Sequence, residues 1–235
     1  MISGGWSLPK RAPVIAIDGP AGSGKSTVAK LLARELGLKY LDTGAMYRVA
    51  AFKTHRAGRA PEDGDSAAEL VLETEIAFGE GDPQQVFMDG VDVTLAIRTG
   101  EIGEMASVVS THSQVRSAMV QRQQAIVAQG GFILEGRDAT TVIAPDADLK
   151  IYMTASLEER ARRRKRDFEA QGTSADFEAV REQIEARDHR DITREDSPLR
   201  VSPDAHVIET ACHSVDEVVS IIKELFFTSV LGKRP

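Results

Sequence analysis

Cysteine is nearly absent from this chain of 235 residues: Cys212 stands alone, so no intrachain disulfide can form. That fits a reducing compartment. Also missing is any run of about 18 uncharged apolar residues, the length that a membrane-spanning helix needs. The most apolar stretch, 215–231, is interrupted by Asp216, Glu217, Lys223 and Glu224. Residues 1–13 lack the apolar stretch of a signal peptide. Net positive charge is missing too. The formal charge is −7, which argues against a whole-protein electrostatic grip on DNA or RNA. These absences predict a cytoplasmic protein with neither a membrane nor a nucleic acid polymer as partner.

Lysine is scarce as well, 9 residues against 20 arginines. Lysine is the default solubilising cation, whereas arginine grips planar oxyanions bidentately. An acidic chain rich in arginine can hold small anions locally while repelling large ones globally. What remains is ordinary. Apolar residues make up 42% and charged residues 28%, which excludes wholesale disorder and collagen-like structure. The length suits one medium domain, or one domain with inserts.

Residues 1–12 read as a flexible tail, broken by Gly4, Gly5 and Pro9. Val14-Ile15-Ala16-Ile17 is the short β-branched run of a buried strand. Val28, Leu31, Leu32 and Leu36 fall on one helical face, and Gly37 stops that helix. Further strands are predicted at 39–41, 132–134, 149–153 and 205–208. Helices are predicted at 45–57, 101–110, 112–129, 156–170 and 176–189, with a last one carrying Val215 to Phe226. Ser156 and Glu159 have the spacing of a capping box. Strands alternating with helices give an α/β fold with a mostly parallel five-stranded sheet covered by helices on both faces. Residues 58–100 break that rhythm. A short helix at 67–73 precedes small antiparallel strands, and Asp89-Gly90 is a strong hairpin signal. This region reads as an inserted α+β subdomain between two parts of the core, 13–57 and 101–235.

Gly19-Pro20-Ala21-Gly22-Ser23-Gly24-Lys25-Ser26, followed by Thr27, matches G-x-x-x-x-G-K-[ST] between the first strand and the first helix. A glycine-rich turn points successive backbone amides inward as an anion nest, and the following helix adds its N-terminal partial charge. Lys25 is positioned to reach the β- and γ-phosphates of a nucleotide, and the Ser26 hydroxyl to ligate Mg²⁺. Switches, motors and kinases all use such a loop. Glu135 ends the third strand, where a carboxylate can aim a water or hold Mg²⁺ through one.

Three more clusters point to a second anion site. Asp42 to Arg48, with Thr43, follows the second strand, and Gly136-Arg137-Asp138 follows the third. Ligands of parallel sheets sit beyond the carboxyl ends of the strands, so these clusters emerge on the edge of the phosphate loop. The third cluster runs from Arg187 to Arg194, preceded by five arginines between 160 and 166. Arg160 and Arg164 share a helical face, as do Arg187, Arg190, Asp191 and Arg194. Two anion sites on one edge suggest two phosphorylated substrates face to face. Arginines on a lid at about 160–196 can neutralise a transferring phosphoryl group and exclude water. No side-chain nucleophile is then required.

With these residues in hand, the sequence resembles the bacterial cytidylate kinases, nucleoside monophosphate kinases of the P-loop class. The likeness runs from Pro13 to about Phe227. It rests on 17–27, Asp42 to Arg48, Asp92-Val93-Thr94, Ile97-Arg98-Thr99, Ala106-Ser107, Val115-Arg116, Glu135 to Asp138 and Thr141-Val142. Pro145-Asp146-Ala147, Arg187-Asp188, Asp191, Arg194 and Pro198-Leu199 complete it. The resemblance implies a P-loop core with an inserted NMP-binding subdomain and a helical lid. It implies Mg²⁺-dependent transfer from ATP to CMP or dCMP, by a monomer. Ser107, Arg116 and Asp138 would read the cytosine edge, and Arg187 and Asp191 would hold the ribose and its phosphate. Arg48, Arg137 and Arg194 would clamp the CMP phosphate, and Thr43 and Tyr47 would also bind the substrate. Arg160 and Arg164 would reach the phosphates of ATP, and Lys25, Arg137, Arg160 and Arg194 would form the catalytic set. Thr140 stands where the family usually has glycine, which predicts either a strained loop or one that runs slightly differently. A kinase of another nucleoside monophosphate, and an ATP-gated switch that hydrolyses slowly, remain open alternatives.

Overall fold

The computed structural model describes residues 11–170, 172–230 and 232. Most of the expected tail lies outside them. In chain order the elements are β1 (Val14–Asp18), α1 (Lys25–Leu36), β2 (Lys39–Asp42), α2 (Thr43–Arg56), α3 (Gly64–Leu72), β3 (Ile76–Phe78), β4 (Val86–Met88) and β5 (Val91–Asp92). Then come α4 (Gly100–Val109), α5 (Ser113–Val127), β6 (Phe132–Gly136), β7 (Leu149–Thr154), α6 (Leu157–Ala170), α7 (Phe177–Thr193), β8 (His206–Glu209) and α8 (Val215–Ser229). Among the described residues no helix is long and apolar enough to cross a membrane.

Five strands form one parallel sheet in the order β2-β6-β1-β7-β8. The period of two in β1 explains why both faces need cover. Ile15 and Ile17 join Ile133 and Ile151 in a core closed by Val28 and Leu32 of α1 and by Val219 and Ile222 of α8. Val14 and Ala16 point the other way, to Leu41, Leu134 and Val127 of α5. The phosphate loop leaves the central strand, so it sits at the middle of the carboxyl edge.

β3, β4 and β5 form a separate antiparallel sheet. Its hairpin turns at Asp89-Gly90, both with positive φ (51° and 78°), as that dipeptide predicts. The apolar packing of this region is shared. Met46 and Val49 of α2, Ala67 and Val71 of α3, Val86, Ile102 and Ala106 of α4, and Val115 and Met119 of α5 make one core. The packing unit therefore extends past 58–100 on both sides. α6 and α7 pack on each other through Ala161, Val180 and Ile184.

Two local features differ from expectation. The capping box at Ser156 is only half formed. Ser156 Oγ accepts from the Glu159 amide at 3.2 Å, but the Glu159 carboxylate turns to Arg163 Nε at 3.0 Å, a charged partner one turn on. The complete box is at Ser214 and Glu217, where α8 begins. Residues Ala139–Ile143 form a single π-helical turn after β6, in a region where the sequence predicts no helix.

Candidate active site

The phosphate loop owes its shape to glycines. Gly19, Gly22 and Gly24 all have positive φ (151°, 75° and 89°). At Gly19 even a Cβ would lie 2.0 Å from the Met153 carbonyl oxygen. Lys25 is buried at the start of α1, its Nζ donating to Pro20 O at 2.8 Å and Ser23 Oγ at 3.3 Å. Burial, aided by the Arg137 guanidinium, lowers its pKa to about 7. Ser26 Oγ donates to Glu135 Oε1 at 2.5 Å, and Tyr40 Oη donates to the same oxygen at 3.0 Å. Hydroxyl and carboxylate oxygens are the donors a hard cation such as Mg²⁺ takes, and Mg²⁺ needs few of them from the protein.

Two cavities open along this edge. The larger, roughly 630 Å³, runs over Ala21 to Thr27 and takes in Arg48, Arg163, Arg164 and Thr210. The smaller, roughly 60 Å³, is lined by Thr43, Tyr47, Ser110, Arg116, Asp138, Asp191 and Arg194. Arg137, Arg187 and Glu135 line both, so the cavities meet at these three side chains.

The smaller cavity is a set of buried charges in contact. Arg116 donates to Asp138 Oδ2 at 2.5 Å and to Ser110 O at 3.2 Å, with its guanidinium 5.3 Å from the Tyr47 ring. Arg137 Nε donates to Asp191 Oδ2 at 2.8 Å, and Arg194 donates to Asp191 Oδ1 at 3.3 Å and to Ser197 O. Burial alone would raise the Asp191 carboxyl, but Arg137, Arg187 and Arg194 together hold it below the usual range. Burial pushes Arg187 down to about 10, helped by Arg137, and leaves its Nε without a partner. Tyr47 Oη and Arg116 Nε are likewise buried and unpartnered. Buried donors left unmatched are costly, so these three atoms mark where a polar ligand group is wanted. Thr43 Oγ1 is spent on Glu135 O at 2.7 Å.

Three expected residues are placed otherwise. Arg160 lines neither cavity. It is buried as a strut, donating to Ala155 O and Ala21 O at 3.0 Å and to Asp188, whose other oxygen accepts from the Ala21 amide at 3.2 Å. Its guanidinium therefore braces the phosphate loop from behind. Ser107 also lines neither cavity. Its hydroxyl accepts from Arg190 Nε at 2.9 Å, and Ser110, one turn later, faces the smaller cavity instead. Thr140 does not take a positive φ: Asp89 and Ser197 are the only non-glycine residues that do among the described residues. Arg164 does line the larger cavity, its guanidinium 4.5 Å from the Phe168 ring.

The sequence reading overlooked four contributors. Arg163 grips Thr210 through its hydroxyl at 2.9 Å and carbonyl at 2.8 Å, shaping one wall of the larger cavity. Arg190 ties α7 to α4 through Ser107 and Glu104. Tyr40 shares Glu135 with Ser26. Asp18 is fully buried beneath the loop. Arg163 and Arg190 lie within the noted arginine clusters, whereas no spacing marks Tyr40 or Asp18.

A glycine-rich loop between a central parallel strand and its helix, with a second cation-lined cavity beside it, defines a P-loop α/β protein. An uncharacterized protein from Eubacterium ventriosum has the same fold, with a TM-score of 0.53 and 15% identity over 93% of this chain and 99% of that one. The cytidylate kinase family model matches residues 15–227, and the chain belongs to that family. It is 47% identical over 212 residues to the cytidylate kinase of Streptococcus sanguinis, covering 89% of this chain and 94% of the relative. It is 45% identical to a bifunctional pantoate ligase/cytidylate kinase of Synechococcus, covering 93% of this chain. The chain spans 43% of that longer relative.

Proposed function

We propose that this chain transfers the γ-phosphoryl group of ATP to the phosphate of CMP or dCMP, giving ADP and CDP or dCDP. The observation that carries the reading is the junction of the two cavities at Arg137, Arg187 and Glu135. ATP would take the larger cavity, its phosphates on the amides of 19–27 with Lys25 and Arg164 beside them. CMP would take the smaller, with Arg48 and Arg194 toward its phosphate, Asp191 toward the ribose and Arg187 between the ribose and the phosphate. The reacting phosphoryl group then lies where two guanidiniums converge. The bond from the γ-phosphorus to the β–γ bridging oxygen breaks as one to a CMP phosphate oxygen forms. That oxygen is already ionised, so no general base is needed. Arg137 and Arg187 neutralise the charge spread over the equatorial oxygens. Ser26, and Glu135 through water, would hold Mg²⁺, which when bound screens the phosphates of ATP.

Cytosine is chosen, in this reading, by the Arg116–Asp138 pair. The Asp138 carboxylate accepts from the exocyclic amine while Arg116 donates to the ring acceptors. Uracil would set an acceptor against Asp138, a buried mismatch of about 2 kcal/mol. One chain lines both cavities, so a monomer suffices, acting in the cytoplasm. A coupled assay of ADP release with CMP, dCMP, UMP, AMP and GMP tests the proposal. CMP and dCMP should stimulate most. Stimulation by UMP or AMP above CMP would reject the base assignment, and no stimulation by any acceptor would favour a hydrolytic switch.

A further inference from the structure

Asp18 is fully buried at the end of β1, next to Gly19, and lines neither cavity. A buried carboxylate is costly unless donors surround it. Here all its hydrogen bonds come from two consecutive residues. Oδ1 accepts from the Ala139 amide at 2.9 Å, and Oδ2 accepts from the Thr140 amide at 2.7 Å and the Thr140 hydroxyl at 2.6 Å. Burial still pushes its carboxyl up to about 6, against these donors.

The residue just before this clamp is Asp138. Its carbonyl accepts from the amides of Val142 and Ile143 at 2.9 and 3.0 Å, closing the π-helical turn. With the next two amides held by Asp18, the backbone at Asp138 is fixed on its C-terminal side by the same carboxylate that precedes the phosphate loop. A carboxylate that distinguishes donor from acceptor must be held to a fraction of an ångström, by groups that themselves cannot shift. We propose that Asp18 and Thr140 are positioning residues that set Asp138 against the base, so that the choice of mononucleotide depends on two side chains that do not touch it. This rests on the reading of Asp138 as the partner of the cytosine amine.

The Thr140 hydroxyl is the part that can be removed without disturbing a backbone bond. Wild-type protein is first assayed for ATP-dependent phosphorylation of CMP and UMP. A wild type that does not prefer CMP overturns the reading, and the clamp with it, before any variant is made. Given the preference, Thr140→Val should raise the KM for CMP about tenfold, the loss expected for one hydrogen bond to a charged group. It should lower the ratio of kcat/KM for CMP over UMP and leave the KM for ATP within about twofold. Thr140→Ser restores the hydroxyl and should restore the KM for CMP. Asp18→Asn should shift the KM in the same direction as Thr140→Val. If Thr140→Val does not fold, Thr140→Ala takes its place. An unchanged KM for CMP, equal rises for CMP and ATP, or no rescue by serine would overturn the clamp alone.

Discussion

The two cavities are built on opposite principles. In the smaller one Arg116, Asp138, Asp191 and Arg194 are all buried, and each has a charged partner on the protein. In the larger one the arginines of α6 stay partly in solvent: Arg163 is 25% exposed and Arg166 is 67% exposed at the side chain. Buried ion pairs add little net stability, because desolvation offsets the attraction, but they hold their members in one geometry. A site that must tell one base from another needs that rigidity. A site that must hold three phosphates needs charge and room, and the backbone amides of the loop supply much of the geometry. In the proposed reading, selectivity and grip are carried by different physics on one sheet edge.

Lys25 is the sharpest challenge to this division, since it is buried yet belongs to the open side. Its contacts are a carbonyl and a hydroxyl, with no carboxylate among them. Lys25→Met should lower kcat by about a thousandfold, the scale of a lost transition-state contact. Circular dichroism should show an unchanged fold. Retained activity would remove Lys25 from the phosphate site and leave the open cavity without its central charge. The next largest effect belongs to the closed side. Asp138→Ala strands Arg116 in the interior, which should cost about 3 kcal/mol in urea unfolding. The same variant should lose about a hundredfold in kcat/KM for CMP while binding an ATP analogue within about threefold. Equal losses for both ligands would mean that the cavities are not separable.

Much of this edge was legible because its elements are local in sequence. The phosphate loop is one run of eight residues, and a strand before and a helix after are enough to orient it. Arg187, Asp191 and Arg194 share a helical face by spacing alone, and α7 continues to Thr193, far enough to keep them together. What escaped reading depends on pairings across long distances. Asp18 meets Thr140 across 122 positions and Tyr40 meets Glu135 across 95. Arg160 and Arg163 stand three apart in one arginine-rich helix, and nothing in that helix says which one faces the open cavity. Asp188 decides it by drawing Arg160 inward, a contact set by how α6 and α7 pack. Ser107 and Ser110 differ in the same way, because Arg190 reaches one of them from another helix. The half-formed box at Ser156 also fits this pattern: the spacing was right, and a nearby guanidinium competed for the glutamate.

The smallest expected effect tests how the closed side opens. Ligand cavities commonly measure roughly 300–1,000 Å³. At roughly 60 Å³ the smaller cavity is well below that, so a mononucleotide needs the space it shares with the larger cavity or more room between the surrounding helices. Arg190 links α7 to α4, through Ser107 at 2.9 Å and Glu104 at 3.0 Å. The Glu104 pair is partly exposed, with side chains 30% and 37% accessible, so it contributes at most about 1 kcal/mol. Arg190→Met removes the charge and keeps an unbranched apolar chain. It should move the melting temperature by no more than about 4 °C. If the contact is a latch, less free energy is needed to open the cavity, and the KM for CMP should fall about two- to threefold with the KM for ATP unchanged. A tenfold rise in the KM for CMP would instead make Arg190 a ligand of the nucleotide, and the closed cavity would then gain a partly exposed arginine of the kind found on the open side.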